Sequence, residues 1–524
     1  VAVARGGVPM NIANGIREFA VATPRAVAVR DGERELTYGA LDERASRLAS
    51  CLLDRGLKEG DRVGVLLGNR MEFVEIAAGL AKAGLVMVPM NPRLMADEVG
   101  YIMGHSSARA LVLDEAYAAA AATCVDDNGL ATVLSLGGTA LGPSYDEALA
   151  AARPKDPRVR VNECDPFTVA YTSGTTGRPK GVLISHRSRC LTFYGTALEW
   201  GLGPGRRTIA VAPMYHGAGF AFAYAAVHTG GTVSMLRAFD PEQLLAMVAT
   251  ERAHSVFLVP THAQMLRGLG DDAIASTNTA SLETLYFNAA PMPMPLKEWV
   301  LDAFPHVGLH DLYGSTEAGI VTNLRPADQR RKPGSVGPPW FMTELRVVDD
   351  AGDPVVPGAP GELFSRSPYL MNGYLDDEEA TVACTTDDGF LSSGDVATID
   401  DEGYVTIVDR VKDLIITGGV NVYPREVENV VIAHPAVADV AVVGLPSETW
   451  GEQVTAVVVR RPDVDVTAET LDEYCREQLA GFKRPKRWEF ITSLPRSPAG
   501  KVLKRDLRVQ YTDSKEGVQS ATAR

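Results

Sequence analysis

Short apolar runs alternate with helical periodicity along most of this chain, and that alternation limits the fold more than any other feature. Val63 to Leu67 and Leu85 to Pro89 read as buried strands. Between and before them, Met71 to Ala83 and the set Leu41, Ala45, Leu48, Leu52 repeat at helical spacing. Further on, Phe167 to Tyr171, Thr208 to Ala212, Thr232 to Leu236, Ser255 to Val259 and Leu282 to Tyr286 read as strands. Asp240-Pro241-Glu242 opens a helix, with aspartate as N-cap and proline in the first turn. Strands that alternate with helices predict parallel sheets wound on both faces, an α/β fold. From about Trp340 the texture changes to short extended runs split by Gly/Pro turns, which predicts a small β-rich subdomain. A boundary is expected near Asp409 to Asp413, after which helix and strand patterns alternate again. The expected organisation is a large unit over 1–411, a small α+β domain over 412–512 and a polar, disordered tail over 513–524.

Composition removes several function classes. A net charge of −15 argues against nucleic acid and anionic membranes as main partners. The six cysteines are scattered without metal spacing or a disulfide framework, which fits a reducing cytoplasm. The first twenty residues lack the continuous apolar core of a signal peptide. The most apolar stretch, Gly217 to Val227, is too short for a bilayer, which needs about 20 residues.

Thr172-Ser173-Gly174-Thr175-Thr176-Gly177-Arg178-Pro179-Lys180-Gly181 follows a predicted strand and packs hydroxyls, glycines and cations into ten residues. Glycines admit close backbone N–H approach, hydroxyls add donors, and Lys180 adds a mobile charge: a cradle for polyphosphate. It departs from the G-x-x-x-x-G-K-[ST] loop, because no hydroxyl follows the lysine to hold a metal. The string resembles the phosphate-loop signature of the adenylate-forming superfamily: acyl- and aryl-CoA synthetases, luciferases and peptide-synthetase adenylation domains.

Other segments match that resemblance in family order. Tyr313-Gly314-Ser315-Thr316-Glu317 resembles the Y-G-x-T-E signature. The family implies Tyr313 against adenine, Thr316 at the α-phosphate and Glu317 on Mg²⁺. Asn288-Ala289-Ala290-Pro291 resembles the small-residue turn beside adenine and substrate, with asparagine where glycine or serine is usual. Ser392-Ser393-Gly394-Asp395 reads as a tight turn ending in a carboxylate, and the resemblance gives Asp395 the ribose hydroxyls with Arg410 assisting. Tyr215-His216, at the end of a predicted strand, borders the acyl channel by the same resemblance. His216 is read as a wall or gate, with Phe220 in the pocket. Phe222, Tyr224 and Met214 add apolar character. Arg496 to Lys501 matches the P-R-x-x-x-G-K segment, making Lys501 the catalytic candidate. Gly418-Gly419 resembles the loop of the pantetheine tunnel, and the resemblance implies that the small, mobile domain turns about a hinge at Lys412.

The resemblance implies an ATP-dependent carboxylic acid:CoA ligase. ATP and an acid give acyl-adenylate and pyrophosphate; coenzyme A thiol then displaces AMP. ATP, Mg²⁺ and CoA are the expected ligands, with a fatty or an aryl/arylpropenoic acid. Three alternatives stay open: an adenylating enzyme that loads an amino acid or carrier protein, a luciferase-like oxidase, and a nucleotide-binding regulator without turnover. The Tyr215-His216 region lacks an aspartate for a buried α-ammonium, which argues against an amino acid. Oligomeric state, a homodimer included, is not written in the sequence.

Overall fold

The structure, a computed structural model, describes residues 8–127, 129–138, 140–172, 178–349, 351–418, 420–447, 449–462, 464–496 and 502–513. Two large sheets carry the first part of the chain. One runs in the order Gly373–Tyr374, Lys180–Ser185, Pro166–Thr172, Val86–Met90, Arg62–Leu66, Ala110–Asp114, Thr132–Leu136. Its interior pairs are parallel, and Lys180–Ser185 turns antiparallel at one end. The second runs Gly319–Leu324, Gly308–Ser315, Thr284–Phe287, Ser255–Leu258, Arg207–Ala210, Thr232–Met235, Val27–Asp31, Arg34–Thr37. There the inner strands are again parallel, with an antiparallel strand at each edge. The expected α/β alternation is therefore present.

Helices Tyr38–Asp54, Met71–Lys82, His186–Trp200 and Gly217–His228 contribute to one large apolar core with strands of both sheets. Every residue of Met71–Lys82 is buried, including Glu72, Glu75 and Lys82. Burying a charge is costly unless it is paired, and each is paired. Glu75 accepts from Arg44 Nε and Tyr145 Oη, Glu72 from Arg34 and Arg70, and Lys82 donates to Asp42. Helix Gly217–His228 is buried throughout from Gly219 to His228. It is apolar on all sides, as a helix clamped between layers must be.

The β-rich segment forms an antiparallel sheet of Glu344–Val348, Gly361–Arg366, Leu391–Ile399 and Val405–Arg410. A last sheet joins Val420–Val422, Ile415–Thr417, Gly451–Arg460, Val437–Ser447 and Arg487–Ile491. Its strands bury both faces. Val440, Val442, Val454, Ala456 and Val458 meet the residues of helices Pro424–Ile432 and Ala468–Arg476. Ala441, Val443, Leu445 and Val457 meet Leu507 and Tyr511 of helix Lys504–Asp513. Period-two alternation with apolar residues at both phases is the mark of a sheet covered on both sides. Each such valine stabilises the fold by about 1.5–3 kcal/mol on burial. Between the last two sheets, Val411–Asp413 is a single 3₁₀ turn that contains Lys412.

One expected turn is something else. Ser392 to Asp395 lies inside the strand Leu391–Ile399, where the register with Gly361–Arg366 shifts. Gly394 takes the residue through φ +67° at this irregularity. Ser, Gly and Asp suit a bulge as well as a turn, and only the neighbouring strand distinguishes the two.

Candidate active site

Three parallel strands of the second sheet end on one edge, and each delivers a predicted segment there. Arg207–Ala210 leads to Tyr215 and His216, Thr284–Phe287 leads to Asn288–Pro291, and Gly308–Ser315 carries Tyr313 and Gly314. Ligands in open α/β sheets bind at this carboxyl edge. The last strand folds back as Gly319–Leu324, with Thr316, Glu317 and Ala318 in the tight turn between. Gly314 is required in this hairpin: a Cβ there would sit 2.0 Å from the carbonyl oxygen of Gly319.

The hairpin is tied to two distant segments. Tyr313 Oη donates to Asp395 Oδ2 at 2.5 Å, and Arg410 Nε donates to Asp395 Oδ1 at 2.7 Å. Burial and the adjacent Asp395 raise the Tyr313 phenol well above its ordinary range, so it stays a donor. Asp395 is 4% exposed, and its two oxygens keep lone pairs for further donors. Four residues on, Glu317 Oε1 accepts from Tyr374 Oη at 3.1 Å. The Tyr374 ring in turn lies 4.9 Å from Lys180 Nζ, which pairs with Asp377 Oδ2 at 3.0 Å. Thr172 and Lys180 face each other as the last rungs of their ladder. The structure thus joins Tyr313, Asp395 and Arg410 in one chain of contacts, and Glu317 and Lys180 in another.

Tyr374 and Asp377 escape the sequence reading. No spacing marks them, and they arrive through pairing of Gly373–Tyr374 with Lys180–Ser185. The clue that remained was Gly373-Tyr374 followed by Asp377, an N-cap whose side chain accepts from Ala380 N at 2.9 Å.

Phe220, expected in the pocket, lies among aromatic rings of the large core. Phe220 is 2% exposed and packs among Phe73, Phe167, Phe193 and Tyr224 in the core. Its helix is apolar on every face, so sequence periodicity could not tell core side from ligand side. Tyr215 is half-buried against that core, and His216 is the N-cap residue of the helix.

At the Asn288 turn, Ala289 has φ +75°, a left-handed conformation unusual for a residue with a Cβ. Asn288 Oδ1 accepts from Ala289 N at 2.6 Å and helps to hold it there. Left-handed alanine costs roughly 1–2 kcal/mol, partly offset in a glycine variant by extra freedom of the unfolded chain. Ala289→Gly should leave stability unchanged or raise it by about 0.5 kcal/mol, whereas Ala289→Val should lower it by about 2 kcal/mol. Denaturant titration of both variants checks this, and a valine variant as stable as the parent would show that the turn is unstrained.

In the small unit, Gly418 has φ +58° and donates its N–H to Trp450 O at 2.8 Å. A Cβ on Gly418 would meet the Trp450 ring at 3.1 Å. The Lys412 ammonium is pulled down from its usual value by burial and by Arg410. Ser173, Gly174, Thr175, Thr176, Gly419 and Lys501 lie outside the described residues. Among the described residues no cluster of three or more metal-ligating side chains occurs. A magnesium nucleotide does not require one, since Mg²⁺ is held by one or two carboxylates and by the phosphates themselves. Glu317 fits that demand, with one oxygen engaged by Tyr374 and the other not hydrogen-bonded among the described residues.

Doubly wound parallel sheets followed by a separate small sheet match the architecture of adenylate-forming enzymes. Comparison with known proteins agrees. The model of the AMP-binding enzymes matches residues 16–375, and that of the AMP-binding enzyme C-terminal domain matches residues 426–501. A feruloyl-CoA synthase of an Amycolatopsis species is 37% identical over 93% of this chain and 96% of its own length. A long-chain-fatty-acid–CoA ligase of Mycobacterium tuberculosis is 34% identical over 96% of this chain and 99% of its own. The crystal structure of ATP-bound MatB from Rhodopseudomonas palustris superposes with a TM-score of 0.88 at 31% identity, covering 96% of this chain and 99% of that one. The chain belongs to the AMP-binding enzyme family. Within it, this protein is an AMP-forming acid:CoA ligase of the acyl/aryl-CoA synthetase group. No helix among the described residues is long and apolar enough to cross a membrane.

Proposed function

We propose that the enzyme activates an acid with a fatty or aryl body, holding ATP along the Tyr313–Glu317 hairpin. The observation that carries this is the spacing of the two contacts of that hairpin. Tyr313 reaches Asp395, suited to a ribose diol, while Glu317 four residues later reaches Tyr374 beside Lys180, suited to phosphates. A nucleotide laid along the hairpin meets each group in turn. Asp395 accepts from the ribose hydroxyls, and Arg410 keeps the carboxylate oriented. Tyr313 packs against adenine, bounded by Asn288, Ala289, Ala290 and Pro291. Thr316 donates to the α-phosphate, where the acid carboxylate attacks. His216 and Tyr215 wall the acyl side. Mg²⁺ bound at Glu317 would neutralise phosphate charge. Gly418 and Gly419 admit the pantetheine arm once the small unit has turned about Lys412. The names of the relatives, a feruloyl and a long-chain-fatty acyl CoA ligase, support both acid types.

A panel of alkanoic and arylpropenoic acids, assayed for CoA-dependent AMP release, tests the reading. Release with no acid of either series, together with no ATP–pyrophosphate exchange, would refute it. Glu317→Gln should raise the Mg²⁺ concentration needed for half-maximal adenylation, because a neutral amide binds a hard cation more weakly. An unchanged Mg²⁺ titration would remove Glu317 from that role.

A further inference from the structure

Arg189, in the first turns of helix His186–Trp200, is 9% exposed. Among the described residues no hydrogen bond or ion pair reaches it, and its Nε is sealed from solvent without an acceptor. Burial alone pulls its pKa down, to about 10, so it remains a cation at neutral pH. The two buried lysines behave differently: Lys82 pairs with Asp42, and Lys297 with Asp311 at 2.6 Å. Of the three buried lysines and arginines described, Arg189 alone lacks a described anion.

Its surroundings make the charge less favourable still. Arg189 Nη2 lies 3.4 Å from where a Cβ on Gly217 would stand. Gly217 is the first residue of the twelve-residue helix Gly217–His228, and the N-cap His216 gives that helix no side-chain cap. The guanidinium therefore faces the positive end of a helix dipole, whose first N–H groups have no intrahelical acceptor. Two positive features converge in an apolar interior, where an unpaired charge is strongly disfavoured. An anion between them would satisfy both.

The place is the acyl side of the proposed site. Gly217 follows Tyr215-His216 on the carboxyl edge that also bears Asn288 and Tyr313. Ser188, next to Arg189, donates to Tyr369 O at 2.9 Å, and Tyr369 packs against Gly319, where the Tyr313–Glu317 hairpin closes.

We propose that Arg189 and the N-terminus of helix Gly217–His228 bind a second carboxylate of the acid substrate, distal to the one that is adenylated. The inference rests on the acid:CoA ligase reading and narrows it: the acid is a dicarboxylate with an alkyl or aryl spacer. The spacer then separates the two carboxylates, and Arg189 measures its length.

Matched pairs test this: C6 to C10 alkanoates against their α,ω-dicarboxylates, and cinnamate against 4-carboxycinnamate. In the parent enzyme at least one diacid should exceed its monoacid partner in kcat/KM by about 30-fold or more. Arg189→Met keeps the unbranched stem and removes the charge. It should lower kcat/KM for that diacid by about 30-fold or more and change the monoacid by less than about 3-fold. Arg189→Lys should recover part of the loss. Two readouts need no turnover. The ligand-free Arg189→Met protein should melt at or above the parent temperature, because it loses an unpaired buried charge. The preferred diacid should raise the melting temperature of the parent and not that of Arg189→Met. The proposal is overturned if every monoacid outperforms its diacid, if the variant loses both series alike, or if the ligand-free variant melts well below the parent. If neither series supports AMP release, the ligase reading fails, and the diacid melting shift still decides whether Arg189 binds a carboxylate.

Discussion

Lys501→Ala should slow acyl-adenylate formation by roughly 10²–10³-fold while leaving thioester formation from supplied acyl-adenylate near the parent rate. Attack of the acid on the α-phosphate gathers negative charge before pyrophosphate leaves. A preorganised cation that touches both reactants stabilises that charge and aligns them. Once pyrophosphate has gone, the second step no longer needs it. Lys180→Ala should cost less than Lys501→Ala, because the backbone and hydroxyl donors of 172–177 remain and Lys180 already shares its charge with Asp377. Pre-steady-state pyrophosphate release, run beside thioester formation from synthetic acyl-adenylate and CoA, measures both steps. Equal loss in the two half-reactions would take Lys501 out of the adenylation step.

Lys412→Pro should uncouple the half-reactions. Lys501 and the Gly418 loop both lie beyond residue 412, and the proposed function needs the first while pyrophosphate departs and the second while CoA arrives. Both can reach one site only if the small unit reorients, and a few backbone dihedrals must absorb the change. Lys412 sits in the single 3₁₀ turn between the strand ending at Arg410 and the strand beginning at Ile415. In the arrangement seen here that turn is latched from both sides. Asp409 Oδ2 accepts from Arg425 N at 2.8 Å, and Arg508 Nη2 donates to Asp413 Oδ1 at 3.0 Å. Proline fixes φ near roughly −65° and restricts Val411 as well. One arrangement is then trapped: pyrophosphate release persists while thioester formation collapses, or the reverse. A circular-dichroism melt separates this from unfolding, which lowers both together. A well-folded variant with the parent ratio of half-reactions would show that the chain does not turn at Lys412.

How much of this was legible depends on the distance over which each feature is encoded. The strand–helix alternation needs only the apolar period of a short window, so the α/β architecture and the later β-rich sheet were readable from residues such as Val63 to Leu67 and Thr232 to Leu236. The nucleotide motifs are also local. Tyr313 to Glu317 must be contiguous because one tight hairpin presents them, and Gly314 is fixed by backbone clearance against Gly319. Partnerships were another matter. Tyr313 meets Asp395 across 82 residues, and Glu317 meets Tyr374 across 57. Only strand pairing closes such separations, and no periodicity records it.

By itself, then, the sequence determined the fold class and the family motifs, since each is written in short local runs. Tertiary structure decided which neighbours each side chain of an all-apolar helix meets, and set Phe220 among the aromatic rings of the core. It placed Ser392 to Asp395 in a bulged strand, because the neighbouring strand supplies the register that a turn would lack. It also left Arg189 without a hydrogen-bond or ion-pair partner among the described residues. Whether a buried charge is satisfied depends on what every neighbouring element brings to it, and that sum exists only in three dimensions.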